Sequence, residues 1–302
     1  MQFIKMHGLG NDYIYINGFQ QHVDDPAALA RTLADRHFGI GGDGLILVLP
    51  PPQGVDAHVR MRMFNADGSE AEMCGNGVRC VCKLAYDHQI TPDIRRHNPM
   101  RIQTGAGVLE LRYQVGPAGR VERITVDMGR PVLDPGRIGV DIAGAERIID
   151  HPAMQLLALA GDRWATSMRN GTVEDAMTCV GMGNPHVVFF CTSVADVPLE
   201  TVGPAIEHAP IFPHRINVHF AQVHGWGELT MRTWERGSGI TLACGTGAAA
   251  VCTAAALTGR CGRELLAHLP GGDLELRWDE RSDHVFMTGP AVELFTGTWH
   301  PR

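Results

Sequence analysis

The sequence predicts an α+β protein built from two similar, pseudo-symmetric domains, each with many strands and one prominent helix. The uncommon pattern Cys-Gly-x-Gly occurs at Cys74 and again at Cys244, and each copy opens a small-residue run typical of a buried helix. Short strand-like runs outnumber helices in both halves, which favours α+β over all-helical folds. We expect the active site to lie in the cleft between the two domains.

The motifs around the two cysteines recur in the same order along the chain, which indicates an internal duplication. A shift of 170 residues places the second cysteine on the first, and a Gly-x-Gly-Asn sequence precedes the two cysteines by 63 and 60 residues. Glycine-rich fragments match by chance, but the ordered spacing of several separate elements argues against chance. The equivalent pairs are Asn11 and Asn184, Gly44 and Asn217, Asn65 and Glu235, Cys74 and Cys244, and Cys82 and Cys252.

Alternating or continuous apolar runs of a few residues predict the strands. The GPAG sequence at Gly116–Gly119 predicts a hairpin turn between two of them. The predicted strands are Phe3–Lys5, Tyr13–Asn17, Leu45–Leu49, Ala57–Phe64, Val108–Val115, Arg123–Met128, Val187–Cys191, Ile216–Gln222, Glu228–Trp234, Asp273–Trp278 and His284–Thr288.

Helical patterns predict four helices, at Ala27–Arg36, Gly75–Asp87, Val202–His208 and Gly245–Leu257. The last of these is rich in alanine and ends before Gly259. Small side chains allow strands to approach a helix closely, so we expect this helix to be wrapped by a sheet.

Composition excludes several classes of protein. The 302 residues carry a formal net charge of −7, which argues against a nucleic-acid binder or a protein of anionic membrane surfaces. No apolar run approaches the ~20 residues that a membrane span needs. The N-terminal sequence lacks the apolar region of a secretory signal, so a cytoplasmic location is expected.

The eight cysteines predict individual thiols rather than disulfides or a metal site. Cys80 and Cys82 lack the spacing of a zinc site, and Cys82 and Cys252 are interpreted as core residues. Lys5 and Lys83 are the two lysines, and neither lies in a phosphate-binding context that pyridoxal phosphate would need. No Gly-x-Gly-x-x-Gly pattern opens a helix after a predicted strand and no Walker pattern appears, so no cofactor and no metal are expected.

The positions of Cys74 and Cys244 suggest their chemistry. A helix N-terminus presents unpaired N–H groups and partial positive charge, which bind anions and lower the pKa of a thiol from its ordinary value of ~8.5. Two such cysteines on opposite sides of one carboxylate-bearing molecule could remove a proton on one face and deliver one on the other. This predicts inversion at a carbon, whereas thiol–disulfide enzymes usually place both cysteines in one Cys-x-x-Cys motif.

The chain resembles the diaminopimelate epimerase family. The resemblance is carried by KMHGLGNDY, DRHFGIGGDG, FNADGSEAEMCGNGVRC, GMGNPHVVF, FPHRINVHF and WERGSGITLACGTGAAA, which together span residues 5–250, and by MTGPA at Met287–Ala291. The related proline racemase and hydroxyproline epimerase family typically has histidine where this chain has Asn76.

The resemblance implies cofactor-independent interconversion of LL- and meso-2,6-diaminopimelate, in lysine and peptidoglycan synthesis, by a cytoplasmic homodimer. It implies that Cys74 and Cys244 are the catalytic pair and that His186 and Glu235 adjust their protonation. It also implies substrate binding by Asn11, Asn65, Gly75, Asn76, Asn184, Asn217, Glu235, Arg236, Gly245 and Thr246. The fold that the resemblance implies is two lobes, each a β-barrel-like mixed sheet around a central helix, with the C-terminal tail returning to the first lobe. An N-terminal lobe of residues 1–128 and 287–302 would carry Cys74, and a C-terminal lobe of residues 129–286 would carry Cys244.

Two alternatives remain open at this point. A proline or hydroxyproline epimerase would share the mechanism but not the pocket, and a non-catalytic amino-acid-binding protein of the same fold would bind without proton exchange. One departure from the family pattern is Gly44, where many relatives have glutamine, so no side-chain role is assigned there.

Overall fold

The computed structural model of the chain describes residues 1–154, 156 and 172–300. The chain divides into two compact units, Met1–Asp127 with Thr288–Arg302 and Met128–Met287, called here the first and the second unit. The parts of the predicted lobes at residues 155, 157–171 and 301–302 lie outside the described residues.

The first unit begins with eight strands, two α-helices and a short 3₁₀ turn at Ile94–Arg96. Its elements are β1 (Gln2–Gly8), β2 (Asn11–Asn17), α1 (Pro26–Ala34), β3 (Gly44–Leu49), β4 (Val59–Asn65), β5 (Glu70–Ala71), α2 (Gly75–Asp87), β6 (Met100–Thr104), β7 (Gly107–Val115) and β8 (Val121–Asp127).

The second unit has eight further strands and three helices among its described residues. They are α3 (Pro135–Ile138), β9 (His151–Pro152), β10 (Val173–Gly181), β11 (Pro185–Cys191), α4 (Leu199–Glu207), β12 (Asn217–Gly225), β13 (Glu228–Glu235), β14 (Gly239–Thr241), α5 (Gly245–Leu257), β15 (Glu264–Leu269) and β16 (Gly272–Trp278). The chain then returns to the first unit within β17 (Val285–Pro290) and ends with β18 (Val292–Thr298).

The strand pairings of the two units repeat each other. In the first unit the hydrogen-bonded order is β18, β1, β2, β3, β4, β6, β7, β8, with parallel pairs at β2–β3 and β4–β6. In the second unit it is β9, β10, β11, β12, β13, β15, β16, with parallel pairs at β11–β12 and β13–β15. The short strands β5 and β14 pair antiparallel with β4 and β13. The predicted α+β fold with two similar mixed-sheet units is therefore confirmed.

Each unit wraps its sheet around one buried helix. Helix α2 packs against β1, β2, β3, β4, β6, β7 and β8, and helix α5 against β10, β11, β12, β15 and β16. Val251, Cys252 and Ala255 of α5 are fully buried, as predicted, and so are Cys80 and Cys82 of α2. Helix α5 has small or apolar residues on all its faces and must be covered on all of them, because exposed apolar surface costs ~25 cal/mol per Å².

The opposite faces of the strands pack on the outer helices. Along β2 the side chains alternate, so Ile14 and Ile16 join Leu33 of α1 in one core cluster. On the other face the Tyr15 hydroxyl donates to the Gly77 carbonyl of α2 at 3.4 Å. In the second unit an equivalent apolar cluster includes Phe189.

The predicted limits of α2 and α5 are correct, whereas α1 and α4 begin earlier and end earlier than predicted. The turn at Gly116–Gly119 is confirmed by its hydrogen bonds between β7 and β8. Seven strands were not predicted: β5, β6, β9, β10, β14, β15 and β18. Some of these strands are short and others are interrupted by charged residues. Others, like Glu264–Leu269, are apolar without clear alternation. Their extended conformation therefore depends on pairing with distant strands.

Candidate active site

Cys74 is the N-cap residue of α2, with extended backbone angles of φ −138° and ψ 120°. Its Sγ accepts a hydrogen bond from the Gly77 N–H at 3.4 Å, as a capping side chain does. The helix start therefore holds the sulfur at the end where backbone N–H groups and the helix dipole favour negative charge.

Asn11, the first residue of β2, lies beside this sulfur. The Cys74 Sγ donates to Asn11 Oδ1 at 3.3 Å, and Asn11 Nδ2 donates to Asp43 Oδ2 at 2.6 Å. Asp43, which sequence analysis did not select, is thus in contact with the predicted site through Asn11. Its place directly before Gly44 was a signal that could have pointed to it.

A buried arginine lies under the first turn of α2. Arg79 is 0% exposed and donates to the side-chain oxygen of Asn76 at 2.8 Å, to the carbonyl of Gly75 at 3.2 Å and to the carbonyl of Pro290 at 3.2 Å. Burial lowers the pKa of Arg79, and the nearby thiols Cys80 and Cys74 oppose that shift. Asn76 is itself 3% exposed, so its side chain supports the helix start from within.

Asn65 ends β4, directly opposite Gly44 on β3, and donates from Nδ2 to Ser69 Oγ at 3.0 Å. A Cβ on Gly44 would overlap the carbonyl oxygen of Phe64 and lie 3.1 Å from Cα of Asn65. The backbone here has no space for a side chain at position 44.

Cys244 is the N-cap residue of α5 and has similar extended angles, φ −115° and ψ 107°. Its Sγ lies 3.6 Å from Thr246 Oγ1. A Cβ on Gly247 would overlap the ring of His219 and lie 3.0 Å from the Cys244 sulfur, so glycine is required for this close approach.

Two buried histidines form a hydrogen-bonded chain in the second unit. His186 Nδ1 lies 2.9 Å from His219 Nε2, and the far ends of the pair meet Asn184 Oδ1 at 2.7 Å and Thr233 Oγ1 at 2.9 Å. Burial lowers the pKa of His219 to about 3. Burial also lowers the pKa of His186 well below its ordinary value, and the neighbouring His219 and Arg236 add to this second shift. Both rings are therefore neutral at physiological pH.

Sequence analysis selected His186 but missed His219. Asn217 and His219 lie two residues apart on β12 and therefore share a face, and His186 is the direct neighbour of Asn217 in the register. Strand alternation was thus the signal that could have found His219.

The remaining predicted residues of the second unit lie at strand ends. Asn217 Nδ2 donates to the Pro185 carbonyl at 2.8 Å, and its Oδ1 accepts from the Arg236 backbone N–H at 2.9 Å. The Arg236 side chain donates to the His214 carbonyl at 3.0 Å. Glu235, the last residue of β13, accepts from Thr241 Oγ1 at 2.5 Å.

Within each unit, hydrogen bonds join several of the predicted residues into small groups. The first unit joins Asn11, Asn76 and Cys74, with Asn65 in a separate contact to Ser69. The second joins Asn184 to His186 and Asn217 to Arg236. The Cys74 sulfur, which accepts from the Gly77 N–H and lies beside the Asn11 amide, is suited to proton transfer next to a bound carboxylate.

Within residues 1–154, 156 and 172–300, histidine, cysteine and acidic side chains form no group of three or more that could hold a metal ion. The helices in that part of the chain are also too short or too polar to cross a bilayer.

Comparison with known proteins identifies one family. A family model described as diaminopimelate epimerase matches residues 3–133 and 178–294. A protein of Desulfovibrio desulfuricans named diaminopimelate epimerase is 49% identical over 99% of this chain and 98% of its own length. One of that name from Acetivibrio thermocellus is 48% identical over 98% of each chain.

Solved structures at low identity share the fold. A phenazine biosynthesis protein of the PhzF family from Bacillus anthracis has a TM-score of 0.68 at 15% identity, covering 98% of both chains. A hydroxyproline epimerase from Agrobacterium vitis has a TM-score of 0.62 at 15% identity, covering 98% of this chain and 90% of its own.

Proposed function

The chain belongs to the diaminopimelate epimerase family, and we propose that its two N-cap cysteines perform the proton transfers of that family's reaction. The chain is an epimerase that interconverts LL- and meso-2,6-diaminopimelate, a step of lysine and peptidoglycan biosynthesis. One observation carries the mechanistic proposal. Cys74 and Cys244 are both N-cap residues of buried helices, in units whose strands pair in the same order.

The proposed reaction needs no oxidant and no cofactor. One cysteine, as thiolate, takes the proton from the α-carbon, and the other, as thiol, gives its proton to the opposite face of the same carbon. One C–H bond breaks and one forms, and the two sulfurs exchange protonation states. The backbone N–H groups at Gly75–Asn76 and Gly245–Thr246 hold the reacting carboxylate and stabilise the charge that develops on it.

The polar residues at the strand ends are proposed to bind the amino-acid ends of the substrate. Arg236 suits a two-pronged contact with the distal carboxylate, and Glu235 suits an ammonium group. The amides of Asn11, Asn65, Asn184 and Asn217 are neutral donors and acceptors, which matches a zwitterion.

His186 and Glu235 are proposed to influence the protonation of the cysteines indirectly. Both ring nitrogens of His186 are already bonded, to His219 and Asn184. His219 in turn lies against Gly247, in the first turn of the helix that Cys244 caps. We therefore propose that the neutral His186–His219 pair acts by packing against the first turn of the helix that Cys244 caps.

The proposal includes a cytoplasmic homodimer that acts on free diaminopimelate and binds neither nucleic acid nor membrane. The net charge of −7 supports the proposal that the chain binds neither nucleic acid nor anionic membrane. Gel filtration with light scattering measures the dimer directly.

Solvent exchange tests the mechanism. In deuterated water the wild-type chain should place deuterium on the α-carbon of diaminopimelate, and Cys74→Ala and Cys244→Ala should each lower epimerisation at least 1,000-fold, a loss of about 4 kcal/mol in transition-state stabilisation. Cys82→Ala is the matched control, because that thiol is buried in α2 and burial raises its pKa. Full turnover in either site variant would disprove the two-cysteine mechanism.

A further inference from the structure

We propose that Asp43, acting through Asn11, holds Cys74 in the protonated form in the resting enzyme, so that Cys74 is the proton donor and Cys244 the proton acceptor at the start of turnover. This inference rests on the proposed roles of the two cysteines. It assigns Asp43 as a positioning residue that does not itself touch the substrate.

The orientation of the Asn11 amide follows from what Asp43 accepts. The Asp43 carboxylate receives three N–H donors: Asn11 Nδ2 at 2.6 Å, the Asp12 backbone at 3.0 Å and Arg36 Nη2 at 3.0 Å. A carboxylate that faces such donors is an acceptor only. The amide atom of Asn11 that faces it must therefore be the nitrogen.

The other amide atom of Asn11 must then be its oxygen, and this oxygen lies 3.3 Å from the Cys74 sulfur. An amide oxygen has no proton to donate, so the hydrogen bond requires the S–H proton of Cys74. A thiolate at this distance would place two acceptors against each other. Rotating the amide would relieve that contact but would set its oxygen against the Asp43 carboxylate.

Asp43 is itself held on both sides. Its backbone N–H donates to the Asp12 carbonyl at 2.7 Å, and its carbonyl accepts from the Ala66 N–H at 3.0 Å. Arg36 binds Asp12 at 2.7 Å as well as Asp43, and Lys5 binds Asp12 at 2.6 Å. Burial raises the pKa of Asp12, but its bonds to Arg36 and Lys5 outweigh burial and lower it.

Other groups near Cys74 favour the thiolate, and they matter after the proton has left. The Gly77 N–H points at the sulfur, and the buried Arg79 guanidinium bears positive charge in the same helix turn. Burial raises the pKa of Cys80 to about 11 and that of Tyr15 well above its ordinary value, so these two neighbours stay neutral. Asn11 thus favours the thiol before donation, whereas Gly77 and Arg79 stabilise the thiolate afterwards.

The first turnover of the resting enzyme is then defined. The Cys244 thiolate takes the α-proton, the S–H bond of Cys74 breaks, and its proton joins the opposite face of the α-carbon. The products are the inverted substrate, the Cys74 thiolate and the Cys244 thiol. Return to the resting form needs one proton exchange between the sulfurs and solvent, or one turnover of the opposite isomer.

Alkylation of Cys74 in the full-length, substrate-free chain tests the inference. Iodoacetamide reacts with thiolate, so the rate of Cys74 modification, followed by peptide mass spectrometry from pH 6 to 10, reports its protonation. In the wild type the rate should rise with pH to a midpoint at or above ~8.5, the ordinary thiol value. A rate that is independent of pH between 6 and 8 would show a resting thiolate and would overturn the proposal.

Asp43→Asn removes the charge but keeps the shape, so the Asn11 amide can turn its NH₂ toward the sulfur. We expect the Cys74 midpoint to fall by about one pH unit and alkylation at pH 7 to become about tenfold faster. Arg36→Gln is the matched control, since it breaks the ion pairs and leaves the Asn11 contact, and its rate should stay within twofold of wild type. An unchanged or higher midpoint in Asp43→Asn, with the fold verified by circular dichroism, contradicts the proposal. Because no substrate is used, this outcome is independent of the solvent-exchange test.

Discussion

The N-terminal turns of α2 and α5 share one backbone design, but different residues support them. Five residues after the cysteine, the first unit has the fully buried Arg79 and the second has Ala249. Beneath the third residue of the turn, Gly77 meets a methyl group of Ile46, whereas Gly247 meets the ring of His219. The two units therefore both place a cysteine at the N-cap of the central helix, whereas the residues below the turn differ: a buried arginine in the first unit and a hydrogen-bonded histidine pair in the second.

This divergence fits the proposed mechanism, in which the two cysteines start in different protonation states. Two identical surroundings would give two identical thiols, and mutual repulsion alone would decide which one ionises. In this chain the surroundings already differ. Substitutions of the residues below the two turns should therefore change stability or activity by different amounts in the two units.

The largest effect is expected from Arg79→Met. The variant leaves the oxygens of Gly75, Asn76 and Pro290 without the guanidinium that they share, and breaking such a buried network costs about 3–5 kcal/mol. Urea unfolding measures the loss. Arg112→Met, at an exposed position of β7, is the control and should stay within about 0.5 kcal/mol of wild type. A similarly small change for Arg79→Met would show that the buried arginine is dispensable.

A second, smaller effect should distinguish the stabilities of alanine variants at Gly77 and Gly247, the third residues of α2 and α5. Gly247→Ala places a methyl group against the His219 ring, which is held at both nitrogens, and should cost about 1–3 kcal/mol. Gly77→Ala meets the terminal methyl of Ile46 at 2.8 Å, which can move aside, so the variant should be close to neutral. Chemical unfolding of both variants gives the comparison.

The double variant Gly247→Ala with His219→Ala sharpens this test. If the ring causes the cost, removing it should recover most of the stability lost in Gly247→Ala, as a double-mutant cycle would show. Equal losses in the two glycine variants, or no coupling to His219, would remove the proposed difference between the units.

The histidine pair should make stability depend on mild acid. Because the pKa values of His186 and His219 are lowered in the folded state, the unfolded chain binds more protons below its ordinary histidine value of ~6.5. The free energy of unfolding should therefore decrease as pH falls from 6.5 toward 5, by up to about 1.4 kcal/mol per pH unit for each ring. Urea unfolding of wild type and His219→Gln at pH 7.5, 6 and 5 measures the slope, which should be shallower in the variant.

The smallest effect is expected at Thr246. Its hydroxyl lies 3.6 Å from the Cys244 sulfur, a weak contact that is worth about 1 kcal/mol or less. Thr246→Val should slow α-proton exchange by less than tenfold, and Thr246→Ser should retain the wild-type rate. A loss of 100-fold or more in Thr246→Val would mean that the hydroxyl takes part in the proton transfer itself.

Sequence patterns predicted the cysteine helices better than their surroundings. The limits of α2 and α5 could be predicted because a cysteine followed by glycines marks a helix start and small-residue periodicity continues from it. Strands such as β10 and β15 could not, because their extended state depends on distant partners, β11 for the first and β13 for the second.

The same limit applies to the candidate site. Its motif residues could be selected from local sequence, but Asp43, Arg79 and His219 act through contacts between residues far apart in the chain. The bond between Arg79 and the Pro290 carbonyl joins residues that are 211 positions apart, and the contact of His219 with His186 needs the parallel pairing of β11 and β12. The distance between two residues along the chain does not reveal such a contact unless the order of the strands in the sheet is known.

The first strand of the first unit pairs with β18, and the backbone of Met1 is bonded to that of Trp299 at 2.7 Å. During synthesis, β1 therefore leaves the ribosome almost three hundred residues before its partner on that side, with a row of unpaired N–H and C=O groups. The second unit, by contrast, is continuous in sequence and can complete its sheet earlier. Released chains truncated before Val292 should accordingly protect the second unit from protease while the first unit is still cleaved.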